Sequence, residues 1–337
     1  MPTANALTEL LAEKGVLLAD GATGTNLFAM GLEAGEAPEL WNEAAPEKIE
    51  KLHQDFVDAG ADIILTNSFG GTRQRLKLHK AEGRVHELNR LAAQIARKVA
   101  DRAGRKVIVA GSVGPTGELF VPLGALTHED AVAAFAEQIE GLKAGGADIA
   151  WIETMSAPEE IRAAAEAAVR AGLPYTYTGS FDTAGRTMMG LDPKQIHGVA
   201  KDVGEGPVAA GANCGVGASD ILSSLLDMTA ADPDAVTIVK GNCGIPEFRG
   251  AEIFYSGTPP LMAEYARLAR DAGAKIIGGC CGTSCEHLAA MRAALDDYTP
   301  RPRPTIEEIV DKIGPLRNKT ASESGGDSGR ERRRRRG

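Results

Sequence analysis

Three phrases of this chain repeat one another. Ala59-Gly60-Ala61-Asp62-Ile63-Ile64, Gly145-Gly146-Ala147-Asp148-Ile149-Ala150 and Ala272-Gly273-Ala274-Lys275-Ile276-Ile277 each follow an amphipathic run, pass through glycine and enter a short apolar run. That pattern is a helix stopped at a C-terminal glycine, followed by a buried parallel strand. Ile49, Leu52, Phe56 and Val57 share one face after Pro46, and Val132, Phe135, Ile139 and Leu142 do so after Thr127. Ser156-Ala157-Pro158-Glu159 reads as a capping box opening another helix. Short apolar strands are expected near residues 16–19, 63–66, 107–111, 149–153, 175–180, 209–213, 237–241 and 276–279, with a helix between each pair. Eight such units predict a (β/α)8 TIM barrel. A doubly wound open sheet is the other candidate, but it more often has five or six strands. No Gly-x-Gly-x-x-Gly follows the first strand, which weakens a dinucleotide-binding reading.

In such barrels the chemistry sits at the C-terminal ends of the strands. Those ends carry the unusual residues here: Asp20-Gly21-Ala22-Thr23-Gly24-Thr25, Thr66-Asn67-Ser68-Phe69, Gly111-Ser112-Val113-Gly114-Pro115 and Glu153-Thr154. Further along come Asn213-Cys214, Gly241-Asn242-Cys243-Gly244 and Gly279-Cys280-Cys281. Cys214 and the Cys280-Cys281 pair therefore reach one rim, two strands apart. Three converging thiolates suit Zn2+ and leave a fourth position open, which is the catalytic kind of zinc site. Small buried thiols beside glycines are the plainer reading of such residues. It suits Cys243 and Cys285 better: Cys243 is expected as a buried thiol that could also line the pocket, and Cys285 in the first turn of the last barrel helix. The histidines, at 53, 79, 86, 128, 197 and 287, lie in or at the starts of expected helices, so a His-ligated metal or His-based triad is not expected.

The chain has 337 residues and a net charge of −9. From Asn318 to Gly337 seven Lys/Arg stand against three Asp/Glu, leaving +4 on the tail and −13 on the remainder. An acidic body argues against nucleic acid as the main partner. The Arg332–Arg336 run follows Ser322-Glu323-Ser324-Gly325-Gly326-Asp327, which cannot build a core, so a solvated disordered tail is expected over 318–337. No apolar run approaches a membrane span, and the start does not resemble a signal peptide. Five cysteines, an odd number, suit reduced thiols and a cytoplasmic location. The expected organisation is a barrel over 1–298, a Pro-rich extension with a short helix over 299–317, and the tail.

Asp20-Gly21-Ala22-Thr23-Gly24-Thr25, Gly211-Ala212-Asn213-Cys214 and Gly278-Gly279-Cys280-Cys281-Gly282-Thr283 together resemble the zinc-dependent homocysteine S-methyltransferase family. The similarity runs from about Leu17 to Leu295. That family includes betaine-homocysteine methyltransferases, S-methylmethionine-dependent enzymes and the homocysteine module of cobalamin-dependent methionine synthase. The resemblance implies zinc at Cys214, Cys280 and Cys281, with the homocysteine sulfur as fourth ligand. It also implies a substrate-binding acid at Glu153, and an amino-acid-binding element at Asp20-Gly21-Ala22.

The methyl donor is the open question. A betaine site needs an aromatic cage for its quaternary ammonium, and Trp41 and Phe69 are the candidate rings. The animal betaine enzymes carry a Tyr after the phenylalanine resembling Phe69, and this chain has Gly70. Thr66-Asn67-Ser68-Phe69 and Gly241-Asn242-Cys243-Gly244-Ile245-Pro246 look closer to the methionine synthase module. No corrinoid or folate domain is expected in the stretch after strand eight. Betaine is the expected donor; the alternatives are S-methylmethionine, another small donor, or a separate methylcobalamin carrier protein. Two other classes fit parts of the sequence: a zinc-holding scaffold without catalysis, and an aldolase-type barrel using Lys240, which would leave the cysteines unexplained.

Overall fold

The computed structural model describes residues 5–244, 246–249 and 252–318. The expected tail from 319 onward lies outside the described residues. Eight parallel strands form one sheet: β1 (Leu17–Leu18), β2 (Ile63–Leu65), β3 (Ile108–Val113), β4 (Ile149–Met155), β5 (Tyr175–Gly179), β6 (Ala209–Cys214), β7 (Thr237–Gly241) and β10 (Ile276–Gly279). Their spatial order is β1-β10-β7-β6-β5-β4-β3-β2, and a parallel bridge from Ala19 to Ile63 brings the two ends together. The architecture is the (β/α)8 TIM barrel.

Alternation along the strands explains the two layers. Leu17, Ile63, Ile108, Ile149, Trp151, Ile238 and Ile276 share the inner cluster, while their neighbours Leu18, Ile64 and Val109 pack outward against the helices. Leu7 and Leu10 of helix α1 (Ala6–Lys14) belong to that inner cluster and plug the barrel's N-terminal end. Asn5 caps this helix through the N–H groups of Leu7 and Thr8.

The repeated phrases now have a structural meaning. Gly60, Gly146 and Gly273 all stand at φ +99°, the left-handed turn between a helix and the next strand. Asp62 accepts from the Leu18 N–H and pairs with Lys14 and Arg292; Asp148 accepts from the Val109 N–H and pairs with Arg97. In these two phrases the aspartate locks its strand to the preceding neighbour; the third carries Lys275, whose backbone N–H donates to the Thr237 carbonyl.

Three expectations need correction. The β5–β6 connection holds a 3-10 helix (Pro193–Gly198), not an α-helix. Glycines at 185, 190, 198, 204 and 206 and Pro193 break the stretch, and Tyr175 and Tyr177 anchor it through the carbonyls of Ala200, Val203 and Ile196. Helix α8 (Pro158–Ala171) starts from Ala157 without a side-chain cap, so Ser156 forms no capping box; Pro158 itself supplies the start. Between β7 and α10 (Pro259–Asp271), an antiparallel hairpin of β8 (Pro246–Arg249) and β9 (Glu252–Tyr255) was not foreseen. Past the barrel, α12 (Ile306–Ile313) buries Ile309 and Ile313 against the helix layer, in contact with α9 (Ala218–Ala231) and α10. No described helix is long and apolar enough to cross a membrane.

The repeated turn yields a stability test. An added Cβ at Gly273 would meet nothing closer than Thr229 Cγ2 at 3.4 Å, so only backbone strain opposes Gly273→Ala. The expected cost is about 1–2 kcal/mol in chemical denaturation. Gly60→Ala should cost more, because its Cβ would lie 2.6 Å from Arg292 Cγ. Equal stability of wild type and both variants would contradict this reading of the repeat.

Candidate metal centre and substrate cavity

β6 and β10 flank β7, and register sets their ends at one level: both Cys214 and Gly279 stand opposite Gly241. β6 finishes with Cys214 at φ +62° and Gly215 at φ +77°, a turn that few side chains adopt without support. The support is visible. Asn242 donates to the Gly215 carbonyl at 2.7 Å and accepts from the Cys281 N–H at 3.1 Å, tying the two cysteine loops together. Asn213 accepts from the Thr154 N–H and the Thr178 hydroxyl and donates to Thr154 Oγ1, with Cys280 Sγ 3.8 Å from its amide nitrogen.

The result is a cluster in which the sulfurs of Cys214, Cys280 and Cys281 all lie within 4.8 Å of one another. Cys214 Sγ and Cys281 Sγ are 3.9 Å apart. Tetrahedral zinc with Zn–S near 2.3 Å sets its sulfurs about 3.8 Å apart, so the donor set fits that metal. By themselves the thiols titrate as a unit: hydrogen bonds from Cys214 and Cys280 hold Cys281 well below the usual thiol range, and sharing raises the other two. Cys243 is fully buried against Gly257 and does not line the cavity; Cys285 opens α11 (Cys285–Leu295), outside the cluster.

The cluster faces a cavity of about 500 Å³. Cys214, Cys280, Cys281, Gly21, Ser112, Glu153 and Lys240 all contribute to its lining. Burial pushes the Glu153 carboxyl up to about 7, although Lys240 and a 2.5 Å hydrogen bond from Ser112 Oγ oppose the shift. Asp20 does not line the cavity. Its Oδ1 pairs with Lys240 Nζ at 2.7 Å and its Oδ2 accepts from the Leu65 N–H at 2.7 Å. Burial raises Asp20, against the pull of Lys240; burial also opposes the Lys240 charge, but Asp20 and Glu153 outweigh it.

Phe28, Phe69 and Tyr255 contribute aromatic wall, and Glu39, Arg75 and His79 add polar groups. Phe69 keeps 38% of its surface exposed. Trp41 is elsewhere: buried, absent from the lining, with Lys48 Nζ 4.3 Å above its ring. Gly70 donates its N–H to Glu39 Oε1 at 2.6 Å, and a Cβ at this position would sit 2.9 Å from the same oxygen. Ser112 and Lys240 were visible at strand ends without a part in substrate binding. Tyr255 and Arg75 carried no signal, since one rides on the unforeseen hairpin and the other on the short helix α5 (Arg73–Lys77).

The homocysteine S-methyltransferase family model matches residues 17–295, which span all eight barrel strands, β1 to β10. The chain belongs to the homocysteine S-methyltransferase family. Among curated proteins it is 30% identical over 307 residues to methionine synthase of Mycobacterium tuberculosis, covering 86% of this chain and 25% of that protein. It is 29% identical over 317 residues to the Mycobacterium leprae methionine synthase, covering 88% and 26%. The chain thus spans about a quarter of the length of these relatives. Among solved structures, the homocysteine methyltransferase MmuM from Escherichia coli superposes with a TM-score of 0.72 at 26% identity, covering 86% of this chain and 99% of that one. MmuM has been solved in an oxidized and a metallated form.

Two measurements follow for this member of the family. Zinc titration of metal-free protein should give one equivalent per chain; Cys214→Ala should lose tight binding and Cys285→Ala should retain it. Full zinc retention in Cys214→Ala would remove the cluster as the metal site. The second concerns pH. A carboxyl raised from 4.5 to about 7 on folding keeps a proton that the unfolded chain loses. Its contribution is full below pH 4.5 and is lost as pH rises through 7, by at most about 3 kcal/mol. Denaturant melts of metal-free Glu153→Gln should therefore gain on wild type between pH 5 and pH 8. A pH-independent difference would contradict the burial assigned to Glu153.

Proposed function

We propose that this protein methylates the sulfur of homocysteine to give methionine, with zinc at Cys214, Cys280 and Cys281 and betaine as methyl donor. The observation that carries the reading is one cavity lined by three clustered thiols and a buried carboxylate. When bound, zinc would lower the pKa of an incoming thiol, ordinarily about 8.5, and supply the thiolate nucleophile at neutral pH. Three anionic sulfurs around the metal leave that nucleophile electron-rich, and Asn213 and Asn242 hold the loops carrying them.

The remaining work belongs to the chain's own groups. Glu153 accepts the substrate ammonium; an arriving cation beside it favours the carboxylate and offsets the burial that raises it. Gly21 brings bare backbone to the amino-acid head, because any Cβ there would collide with Phe56 and the Thr283 carbonyl. Phe69 is assigned the face of the donor's quaternary ammonium, the role first shared with Trp41. Methyl transfer then forms an S–C bond as the donor's N–C bond breaks, and the electron pair returns to nitrogen as dimethylglycine. Alignment of donor carbon and sulfur within the cavity supplies much of the rate.

A second reading, a homocysteine-activating module served by a corrinoid carrier, draws on two observations. The curated relatives are methionine synthases. Glu39 also occupies the space into which an aromatic side chain at position 70 would project. Assays of zinc-loaded protein with homocysteine and betaine, S-methylmethionine, dimethylsulfoniopropionate or methylcobalamin separate the two. Betaine turnover is expected, with Phe69→Leu raising the betaine KM up to about thirty-fold, as a cation–π contact near 2 kcal/mol requires. The homocysteine KM should change little. Background turnover with betaine alongside activity with methylcobalamin would decide for the carrier.

A further inference from the structure

Lys240 is a buried ammonium whose donors are only partly used. It lies on β7, one residue before the level of the cysteine cluster, and its side chain crosses toward the end of β1. Gly278 makes the crossing possible, since a Cβ there would lie 3.0 Å from both Lys240 Cγ and Ala19 Cβ. At the end of that path Nζ meets Asp20 Oδ1 at 2.7 Å. An ammonium has three donors. Among the described residues, Asp20 is the only hydrogen-bond partner of the Lys240 side chain, and the Trp151 ring lies 5.9 Å from Nζ. Asp20 is itself committed, its other oxygen being held by the Leu65 N–H.

Lys240 and Glu153 line the same cavity, and neither is the other's ion-pair partner: Lys240 pairs with Asp20, and Glu153 is bonded to Ser112. Asp20 uses one of the three Lys240 donors, and Glu153 has no cationic partner among the described residues, so a group that offers an anion to the lysine and a cation to the glutamate would complete both. A zwitterionic α-amino-acid head does this, with its carboxylate on the lysine and its ammonium on the glutamate. The thiol then hangs toward the cysteines that line the same cavity.

Resting on the function proposed above, we propose that Lys240 is the carboxylate anchor of the amino-acid substrate, and that Asp20 is a positioning residue acting through it. Asp20 then recognises the substrate indirectly, holding the ammonium that touches it.

The experiment is calorimetric binding of three thiols to the zinc-loaded full chain: homocysteine, 3-aminopropane-1-thiol, which lacks the carboxylate, and 4-mercaptobutyrate, which lacks the ammonium. Wild type should prefer homocysteine to 3-aminopropane-1-thiol by about ten- to a hundred-fold, the effect of one charge-assisted hydrogen bond. Lys240→Met should bring this ratio close to one while leaving zinc content and the affinity for 3-aminopropane-1-thiol unchanged. Glu153→Gln should instead narrow the preference over 4-mercaptobutyrate. Because Lys240→Met strands a buried carboxylate, the Asp20→Asn/Lys240→Met double variant, which removes both charges, is read in parallel and should show the same collapse. Asp20→Asn alone should narrow the carboxylate ratio without abolishing it; an unchanged ratio there would overturn its positioning role. A wild-type ratio retained in the folded Lys240 variants would overturn the lysine's role and leave the methyltransferase reading standing. Binding of none of the thiols by wild type would overturn both.

Discussion

Three sulfur atoms held within 4.8 Å of one another make an arrangement that repels itself once more than one is ionised. A cation at their centre turns that repulsion into attraction, and much of the barrel's C-terminal rim is shaped around this balance. The left-handed turn at Cys214, the carboxamides of Asn213 and Asn242, and the bare backbone around Cys280 all restrict where the sulfurs can go. The strain at Cys214 is tolerated because β5 and β7 flank β6 in fixed register, and β10 in turn is fixed on the far side of β7. Shifting any of these strands by one residue would turn a cysteine or its supporting asparagine away from the cavity.

Beside the sulfurs lies a second set of charges with the opposite logic. Asp20, Lys240 and Glu153 are buried in the barrel mouth, where ionised groups persist only with partners. Asp20 and Lys240 satisfy each other, and Glu153 keeps a raised pKa with Ser112 as its hydrogen-bond donor. The site therefore separates two tasks. On the proposed function, sulfur chemistry would belong to the ends of β6 and β10, and recognition of an amino-acid head to β4, β7 and the turn after β1. Selectivity for the amino acid and reactivity of its thiol can then change independently.

Much of this was legible in the sequence, for reasons that particular residues make clear. The helix–Gly–strand phrases at 59–64, 145–150 and 272–277 encode local geometry, the same φ of +99° at each glycine, so they report the barrel without long-range information. Cys214 ends β6, Glu153 stands near the end of β4, and Cys280 and Cys281 follow β10, and strand ends in a parallel barrel share one rim. What was hidden depends on side-chain direction and irregular chain. Asp20 follows a strand of only two residues, and its pairing with Lys240 spans 220 positions. Trp41 sits among short helices where exposure is decided by packing, and it is buried under Lys48. The β8–β9 hairpin that brings Tyr255 to the cavity interrupts a βα unit with no periodic signal of its own.

The central claim is that the three cysteines hold a metal whose remaining position receives the substrate sulfur. X-ray absorption at the zinc edge tests it most directly, on the full chain loaded with one equivalent of zinc, before and after addition of selenohomocysteine. The account predicts three sulfur scatterers and one lighter neighbour in the free protein. A selenium scatterer should replace the lighter atom when the substrate analogue is added. Four sulfurs in the free protein, or a shell unchanged by saturating selenohomocysteine, would contradict it.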